Sequence, residues 1–132
     1  MRFTLTVSTT QRQQLVDITH DLRELVAKHG QQSEFCALYV QGATAAIMVQ
    51  ENWDPNITTD VLDCLSELVV PGKWLHDKVD GNADAHIKAG LVGPSELIPI
   101  EDGKLMLSQW QNVFVCDFNG PRRSRTVIVT LI

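Results

Sequence analysis

The chain has 132 residues, of which 44% are apolar and 20% are charged, and its formal net charge is −5. This length and composition are typical of one globular domain, so we predict a single domain over residues 1–132. The acidic balance argues against nucleic-acid binding, which needs a basic surface. No apolar run approaches the roughly 18 residues of a membrane span, so we predict no membrane partner.

The three cysteines, Cys36, Cys64 and Cys116, are widely separated and form no metal-binding or redox pair motif. Each has apolar neighbours, which is typical of buried free thiols. Free thiols indicate a reducing compartment, and the N-terminus shows no apolar segment of a signal peptide. We therefore predict a cytoplasmic protein.

The first half of the chain alternates strand and helix patterns. Phe3, Leu5 and Val7 alternate with polar residues, as in a half-buried strand. Predicted strands cover residues 3–7, 13–18, 34–41 and 46–51, and predicted helices follow at 19–30 and about 58–70. Thr19 is expected to cap the first helix, and Thr58 or Thr59 the second.

The stretch from Asp80 to Ser95 predicts a short third helix. Asn82 is a good N-cap for a helix from Ala83 to about Leu91. Asp84 and Lys88 are four residues apart and are expected to pair on the helix surface. His86 is followed by small residues, which leave space for a ligand, a neighbouring strand or another subunit. A histidine hydrogen-bonded within the fold is the structural alternative.

The last third of the chain predicts strands joined by tight turns. Asp102-Gly103 and Asn119-Gly120 each separate apolar runs, as in type I′ hairpins. The resulting antiparallel C-terminal meander, covered by two to three helices, indicates an α+β fold with a mixed, largely antiparallel sheet.

His76 precedes the third helix in a loop-like stretch, so it is able to converge with His86. Two histidines provide acid–base groups or metal ligands. They match no metal motif, and zinc normally takes four ligands, so further donors would have to come from carboxylates or another subunit.

Several short motifs, in order and spacing, resemble the YjbQ-like family, small proteins long described as uncharacterised. The motifs are Gly81-Asn82 with His86, Gly93 with Ser95, Pro99 with Gly103, Trp110-Gln111, and Gly120-Pro121-Arg122. The resemblance covers nearly the whole chain. It implies an α+β fold, a homotrimer and a secondary thiamine-phosphate synthase activity. That transferase reaction joins a pyrimidine pyrophosphate to a thiazole phosphate and releases pyrophosphate.

The implied phosphorylated ligand suggests roles for several side chains. Arg122 and Arg125 are candidates to bind phosphate, although both are also typical of solvated turn residues. Ser95 is a candidate for an anion site, or simply a hydroxyl at a strand start. Asn82 is either a ligand contact or a cap. Trp110 is suited to stack on a heterocycle, or to pack in a core or an interface.

Carboxylates near the end of the fourth predicted strand are candidate Mg²⁺ ligands. Asp54 and Asp60 are explained more simply by a turn and a helix start, so Glu51 is the preferred candidate. The expected cofactor, if any, is a divalent metal, Mg²⁺ or Zn²⁺. His86, His76 and Glu51 are the candidate catalytic residues, and His76 and His86 are also the candidate metal ligands.

One departure from the family pattern weakens the enzyme hypothesis. The family usually has a histidine followed by Ser/Thr and Thr before Ala45-Ala46, where this chain has Gly42-Ala43-Thr44. Two hypotheses remain. The protein is a transferase with a site between subunits, or it is a non-catalytic trimer that binds a metal or an anion.

Overall fold

A computed structural model describes residues 1–132. Its eight strands are β1 (Arg2–Val7), β2 (Gln14–Asp17), β3 (Phe35–Gln41), β4 (Ala45–Glu51), β5 (Ser95–Glu101), β6 (Lys104–Leu105), β7 (Gln111–Asp117) and β8 (Arg125–Leu131). The helices are α1 (Thr19–His29), α2 (Asn56–Leu68) and α3 (Ala83–Val92), with a 3₁₀ helix at Leu75–Lys78. Every strand pairing is antiparallel, which confirms the α+β class. No helix is long and apolar enough to cross a bilayer.

The strands form two sheets, and this arrangement corrects the predicted meander. The larger sheet has the order β1-β8-β3-β5-β6, and the smaller has the order β2-β7-β4. β7 and β8 therefore lie in different sheets. Asn119-Gly120 lacks the positive φ angles of a type I′ turn, and its segment carries the chain from one sheet to the other. Asp102 and Gly103, with φ angles of 51° and 72°, do form the predicted turn between β5 and β6.

The hydrophobic core lies between the two sheets and includes Leu22 and Val26 of α1, and a second cluster lies beneath α2 and α3. β4 belongs to both, because Ala45 and Ile47 face the main core while Ala46 and Met48 pack with α2 and α3. Because β4 is covered on both faces, its sequence is a continuous apolar run from Ala45 to Val49 and does not alternate. β8 instead alternates buried and half-buried residues, because its outer face has no helix over it.

The first helix starts differently from the prediction. Ile18 holds the N-cap position, and Thr19 is a buried first residue. The Thr19 hydroxyl donates to Asp17 Oδ1 at 2.6 Å and accepts from the Val113 amide at 2.8 Å. Thr19 therefore joins α1 to β7 instead of capping the helix, because a strand amide competes for its oxygen.

The second helix begins earlier than predicted, at Asn56, so Thr58 and Thr59 lie inside it. Asp54 Oδ1 accepts the Asn56 amide at 2.9 Å and satisfies one amide of the first turn. Pro55, with φ of −62°, already has a helical conformation, which allows the earlier start.

The cysteines are all free, but they are not all buried. Burial raises the pKa of Cys36 to about 11 and that of Cys116 to about 12, so both thiols stay protonated at neutral pH. Cys64 is exposed on α2. The expectation of a buried thiol is wrong there, because that residue lies on the solvent side of an amphipathic helix.

Candidate functional site

The candidate site lies at a corner where the chain changes layers. The segment Gly42–Thr44 leads from β3 in the larger sheet to β4 in the smaller one, and Gly93-Pro94 leads from α3 into β5. The Val40 amide donates to Pro94 O at 2.9 Å, and the Ile47 amide donates to Gly93 O at 3.1 Å. These bonds hold the C-terminal end of α3 beside the β3–β4 turn.

His86 projects from α3 towards this turn. Its Nδ1 lies 3.1 Å from Ala43 O. Because a carbonyl only accepts, Nδ1 must carry the hydrogen, so in the neutral ring Nε2 keeps its lone pair. His86 is thus hydrogen-bonded within the fold, as the structural alternative expected, and still has one nitrogen free for proton exchange.

His76 lies beside His86, so the convergence expected of the two residues is present. The ring centroids are 4.9 Å apart and the planes are nearly perpendicular, at 85°. His76 belongs to the 3₁₀ helix and not to an open loop. Its Nε2 is 3.7 Å from Asp80 Oδ2.

Asp77 positions both histidines, and the sequence did not single it out. Its Oδ2 accepts the Trp74 amide and its Oδ1 accepts the Ala83 amide, each at 3.0 Å. These two hydrogen bonds hold the pKa of Asp77 below its usual value, with a smaller contribution from the charge of His76. One carboxylate therefore links the 3₁₀ helix to the start of α3.

The predicted cap by Asn82 is only half correct. Asn82 holds the N-cap position, but its side chain makes no capping hydrogen bond. Asp77 takes that role because an ionised carboxylate is the stronger acceptor. The Asn82 Oδ1 atom is buried without a partner, one helical turn before His86.

Two clefts meet at the histidine pair. The larger, of about 560 Å³, lies between the β3–β4 turn and α3 and includes Gly42, Ala43 and His86 in its wall. The smaller, of about 370 Å³, is lined by Trp74, His76, Ala83, His86 and Ile87. Both volumes are in the range of small-molecule sites, and His86 contributes to both.

The side chains of one chain do not make a metal site here. No group of three or more His, Cys, Asp or Glu residues lies close enough to hold an ion. Two imidazoles fall short of the four ligands of zinc, and Mg²⁺ prefers oxygen. Glu51 is at the far end of β4, about 20 Å along the strand from Ala45. Glu51 instead closes the turn into α2, with its Oε1 3.4 Å from the Asp54 amide.

Trp110 and Ser95 also lie apart from the histidines. Trp110 packs edge-to-face on Trp53, with centroids 5.2 Å apart, in a cleft of about 200 Å³ near Glu51. Ser95 lines a shallow groove on the outer face of the larger sheet, together with Tyr39. The structure therefore does not bring all the candidate residues together in one chain.

Arg122 fits the expectation of a solvated turn residue, but Arg125 does not. Arg122 is exposed, and its Nε donates to Asn119 O at 3.1 Å. Arg125 is buried, and its Nη2 donates to Asp117 Oδ1 at 2.7 Å and to Thr44 Oγ1 at 2.8 Å. Its partner Asp117 was missed because the two residues lie in different strands and different sheets.

Asp117 is ionised despite its burial. Burial by itself would raise the pKa of Asp117, but hydrogen bonds from Arg125, Thr9 and the Asn119 amide outweigh it and hold the pKa below its usual value. The corner behind the β3–β4 turn therefore contains a compact ion pair.

Asp84 and Lys88 pair as predicted, at 3.3 Å, but not on the surface. Lys88 is fully buried, and its ammonium also donates to Gln13 Oε1 at 3.1 Å and to Ser66 Oγ at 3.2 Å. The surface expectation is wrong because α2 and β2 cover this side of α3.

The chain is a small α+β protein in which two antiparallel sheets enclose the core and a histidine pair lies between two clefts. The UPF0047 protein YjbQ-like family matches residues 3–132, and the chain belongs to this family. It is 40% identical to a UPF0047 protein of Methanocaldococcus jannaschii, over 93% of this chain and 88% of that one. It is 35% identical to the UPF0047 protein YugU of Bacillus subtilis, over 98% and 97% of the two chains.

Solved structures show the same fold. A YbjQ-like protein of unknown function from Sulfolobus solfataricus superposes with a TM-score of 0.93 at 34% identity, covering 98% of this chain and 94% of that one. An uncharacterised family member from Clostridium acetobutylicum gives 0.91 at 37% identity, covering 98% and 99%. The family thus has a well-defined fold.

Proposed function

We propose that the protein is a transferase of the thiamine-phosphate synthase type, and that it binds small phosphorylated heterocycles in the clefts beside His76 and His86. The observation that carries this proposal is the free Nε2 of His86, next to a second imidazole at the junction of two ligand-sized clefts. A pair of imidazoles in a cleft is a common arrangement for moving protons near neutral pH.

The chemistry suggests a role for the histidines. In the reaction, the bond between the pyrimidine methylene carbon and the pyrophosphate oxygen breaks, and pyrophosphate leaves with the electron pair. The thiazole nitrogen uses its lone pair to form the new C–N bond and has no proton to lose. The histidines therefore serve the leaving group, as protonated donors to pyrophosphate oxygens.

A second copy of the chain is part of this proposal. Trp110 and Glu51 lie at the opposite end of β4 from His86, so a site that uses all of them needs two chains. The family resemblance implies a homotrimer, and the outer face of the larger sheet carries exposed Tyr39 and Leu97. We propose that this face forms the contact between copies.

The three free thiols support a cytoplasmic location.

A non-catalytic metal- or anion-binding protein is the second candidate. It is favoured by Gly42, which stands where the family usually has a histidine and contributes no functional side chain. A divalent metal held by His76 and His86 would need carboxylates from a neighbouring copy, because one chain has no third ligand in place.

The test is release of pyrophosphate from the pyrimidine pyrophosphate in the presence of the thiazole phosphate. We expect His86→Gln and His76→Gln each to lower kcat by about 100-fold, as for loss of an acid–base group. His20→Gln is the matched control, because His20 is an exposed histidine on α1 that pairs only with Glu24.

The outcomes separate the candidates. Turnover that is equal in His86→Gln and His20→Gln contradicts the proposed role of the histidines. A wild-type protein without turnover that binds pyrophosphate, or binds zinc in a manner lost in His86→Gln, supports the second candidate instead.

A further inference from the structure

Arg125 uses only one of its three guanidinium nitrogens. Its side chain is 6% exposed, and both of its hydrogen bonds come from Nη2. Nε is buried without a partner, and Nη1 makes no hydrogen bond. A guanidinium has five N–H donors, and leaving charged donors unpaired away from water is costly. Unlike Nε, Nη1 is not fully buried, so it is the guanidinium nitrogen that is available to a ligand.

Nη1 lies directly behind Gly42. A Cβ atom on residue 42 would be 2.7 Å from Nη1 and 3.8 Å from Cζ of Arg125. The closeness follows from strand register, because Gln41 pairs with Thr126 and so brings the next residue opposite Arg125. Gly42 does not have a positive φ, so its backbone would accept alanine. Glycine is therefore needed at position 42 because there is no room for a side chain beside Arg125, and not because of the backbone conformation.

Gly42 also forms part of the wall of the larger cleft, beside His86. Arg125 does not itself line the cleft, but its Nη1 lies behind the wall at Gly42, where no side chain stands in front of it. We propose that Arg125 Nη1 and His86 together form a binding site for a phosphate group at this wall, with Gly42 as the opening between them. The proposal rests on the function proposed above for the cleft and identifies the residue that recognises the phosphate.

The charges around the cleft suit an anion. Its wall contains no aspartate, glutamate or lysine, and its titratable residues are His86 and Tyr39. Asp117 binds the far edge of the guanidinium through Nη2 and is fully buried, so it holds Arg125 in place without entering the wall. A phosphate oxygen accepts strongly from a guanidinium N–H and from a protonated imidazole.

Calorimetric titration with inorganic phosphate and with pyrophosphate tests the site. In Gly42→Ala, the new methyl group would stand between Nη1 and the cleft. We expect its affinity for both anions to fall by about tenfold or more, the usual effect of losing a hydrogen bond to a charged group. Gly90→Ala is the matched control, because Gly90 lines the same cleft and a Cβ there meets nothing within 4 Å.

A second variant allows for movement of Arg125 in Gly42→Ala. Arg125→Lys keeps a cation beside Asp117 but lacks the planar fork, so we expect a folded protein with a similar loss of anion affinity. Thermal melting of each variant shows whether the fold is kept. Equal anion binding by Gly42→Ala and Gly90→Ala overturns the proposal, and so does a folded Arg125→Lys with wild-type affinity or a wild-type protein that binds neither anion.

This test is independent of the transferase activity. Anion binding that is sensitive to Gly42→Ala, in a protein without turnover, refutes the transferase but supports the phosphate site. Turnover that is lost in His86→Gln but kept, with full anion binding, in Gly42→Ala refutes the phosphate site alone.

Discussion

The Asp117 side chain joins the two sheets through its hydrogen bonds. It ends β7 in the smaller sheet and accepts from Arg125, which starts β8 in the larger one. Its other oxygen accepts from the Thr9 hydroxyl at 2.6 Å, and the same hydroxyl accepts the Arg122 amide at 2.8 Å. A single buried carboxylate thus holds the corner behind the candidate site.

Asp117→Asn should lower the free energy of unfolding by about 3–5 kcal/mol, because it leaves the Arg125 cation buried without its counter-charge. Urea denaturation measures the change. Asp60→Asn, at an exposed position on α2, is the control and should change stability by less than about 0.5 kcal/mol. An Asp117→Asn variant as stable as this control would contradict the importance of the ion pair.

The same carboxylate should make stability depend on pH. Because the pKa of Asp117 is lower in the folded state than the value of about 3.9 usual for an unfolded chain, its contribution is complete above that value. The contribution is lost as the pH falls through the folded-state pKa. Urea denaturation at neutral and at acid pH measures this effect. The free energy of unfolding should fall less on acidification in Asp117→Asn than in the wild type.

Helix α3 is held at two points that leave His86 facing the clefts. Asp77 fixes its N-terminus, and Lys88 fixes its buried side through Gln13, Ser66 and Asp84. Its small residues Ala85 and Ala89 allow close packing on β4. Since the helix has little apolar bulk, these polar contacts set its orientation.

Lys88→Met should destabilise the protein by about 3 kcal/mol, because it removes three hydrogen bonds and leaves Asp84 with Arg12 alone. Lys78→Met, at an exposed position on the 3₁₀ helix, should have an effect near zero. Chemical denaturation compares the two. Equal stability of the variants would show that the network around Lys88 does not hold α3.

At the scale of the whole molecule, α2 and α3 pack on the smaller sheet, and no helix covers the outer face of the larger sheet. The outer face of the larger sheet keeps Leu97 57% exposed and Tyr39 52% exposed, with Ile128 half-buried between neighbouring strands. An apolar sheet face without a covering layer is typical of an interface. This is the surface proposed above for contact between copies.

Leu97→Glu should convert the proposed trimer to monomers, because it places a charge in the centre of this face. Sedimentation velocity measures the mass. Leu68→Glu changes another exposed leucine, at the end of α2, and should leave the assembly intact. A wild-type monomer, or a trimer unaffected by Leu97→Glu, would refute this interface.

Much of the fold and part of the site followed from local patterns. The alternation along β1 and β8, the apolar run of β4 and the Asp102-Gly103 turn depend on neighbours in the chain, so they were readable without coordinates. The pairing of Asp84 with Lys88 followed from helical spacing, although its burial did not. The sequence allowed His76 to converge with His86, but the contact between their rings depends on the 3₁₀ helix that carries His76.

The sequence by itself determined the class of fold and most element positions, because hydrophobic period and turn chemistry act between near neighbours. Only the tertiary structure decided that β7 and β8 belong to different sheets and that Arg125 is buried against Asp117. It also decided that the missing side chain of Gly42 opens towards that arginine. Those facts depend on which strands meet across the sheets, and the choice among distant partners depends on packing the whole core.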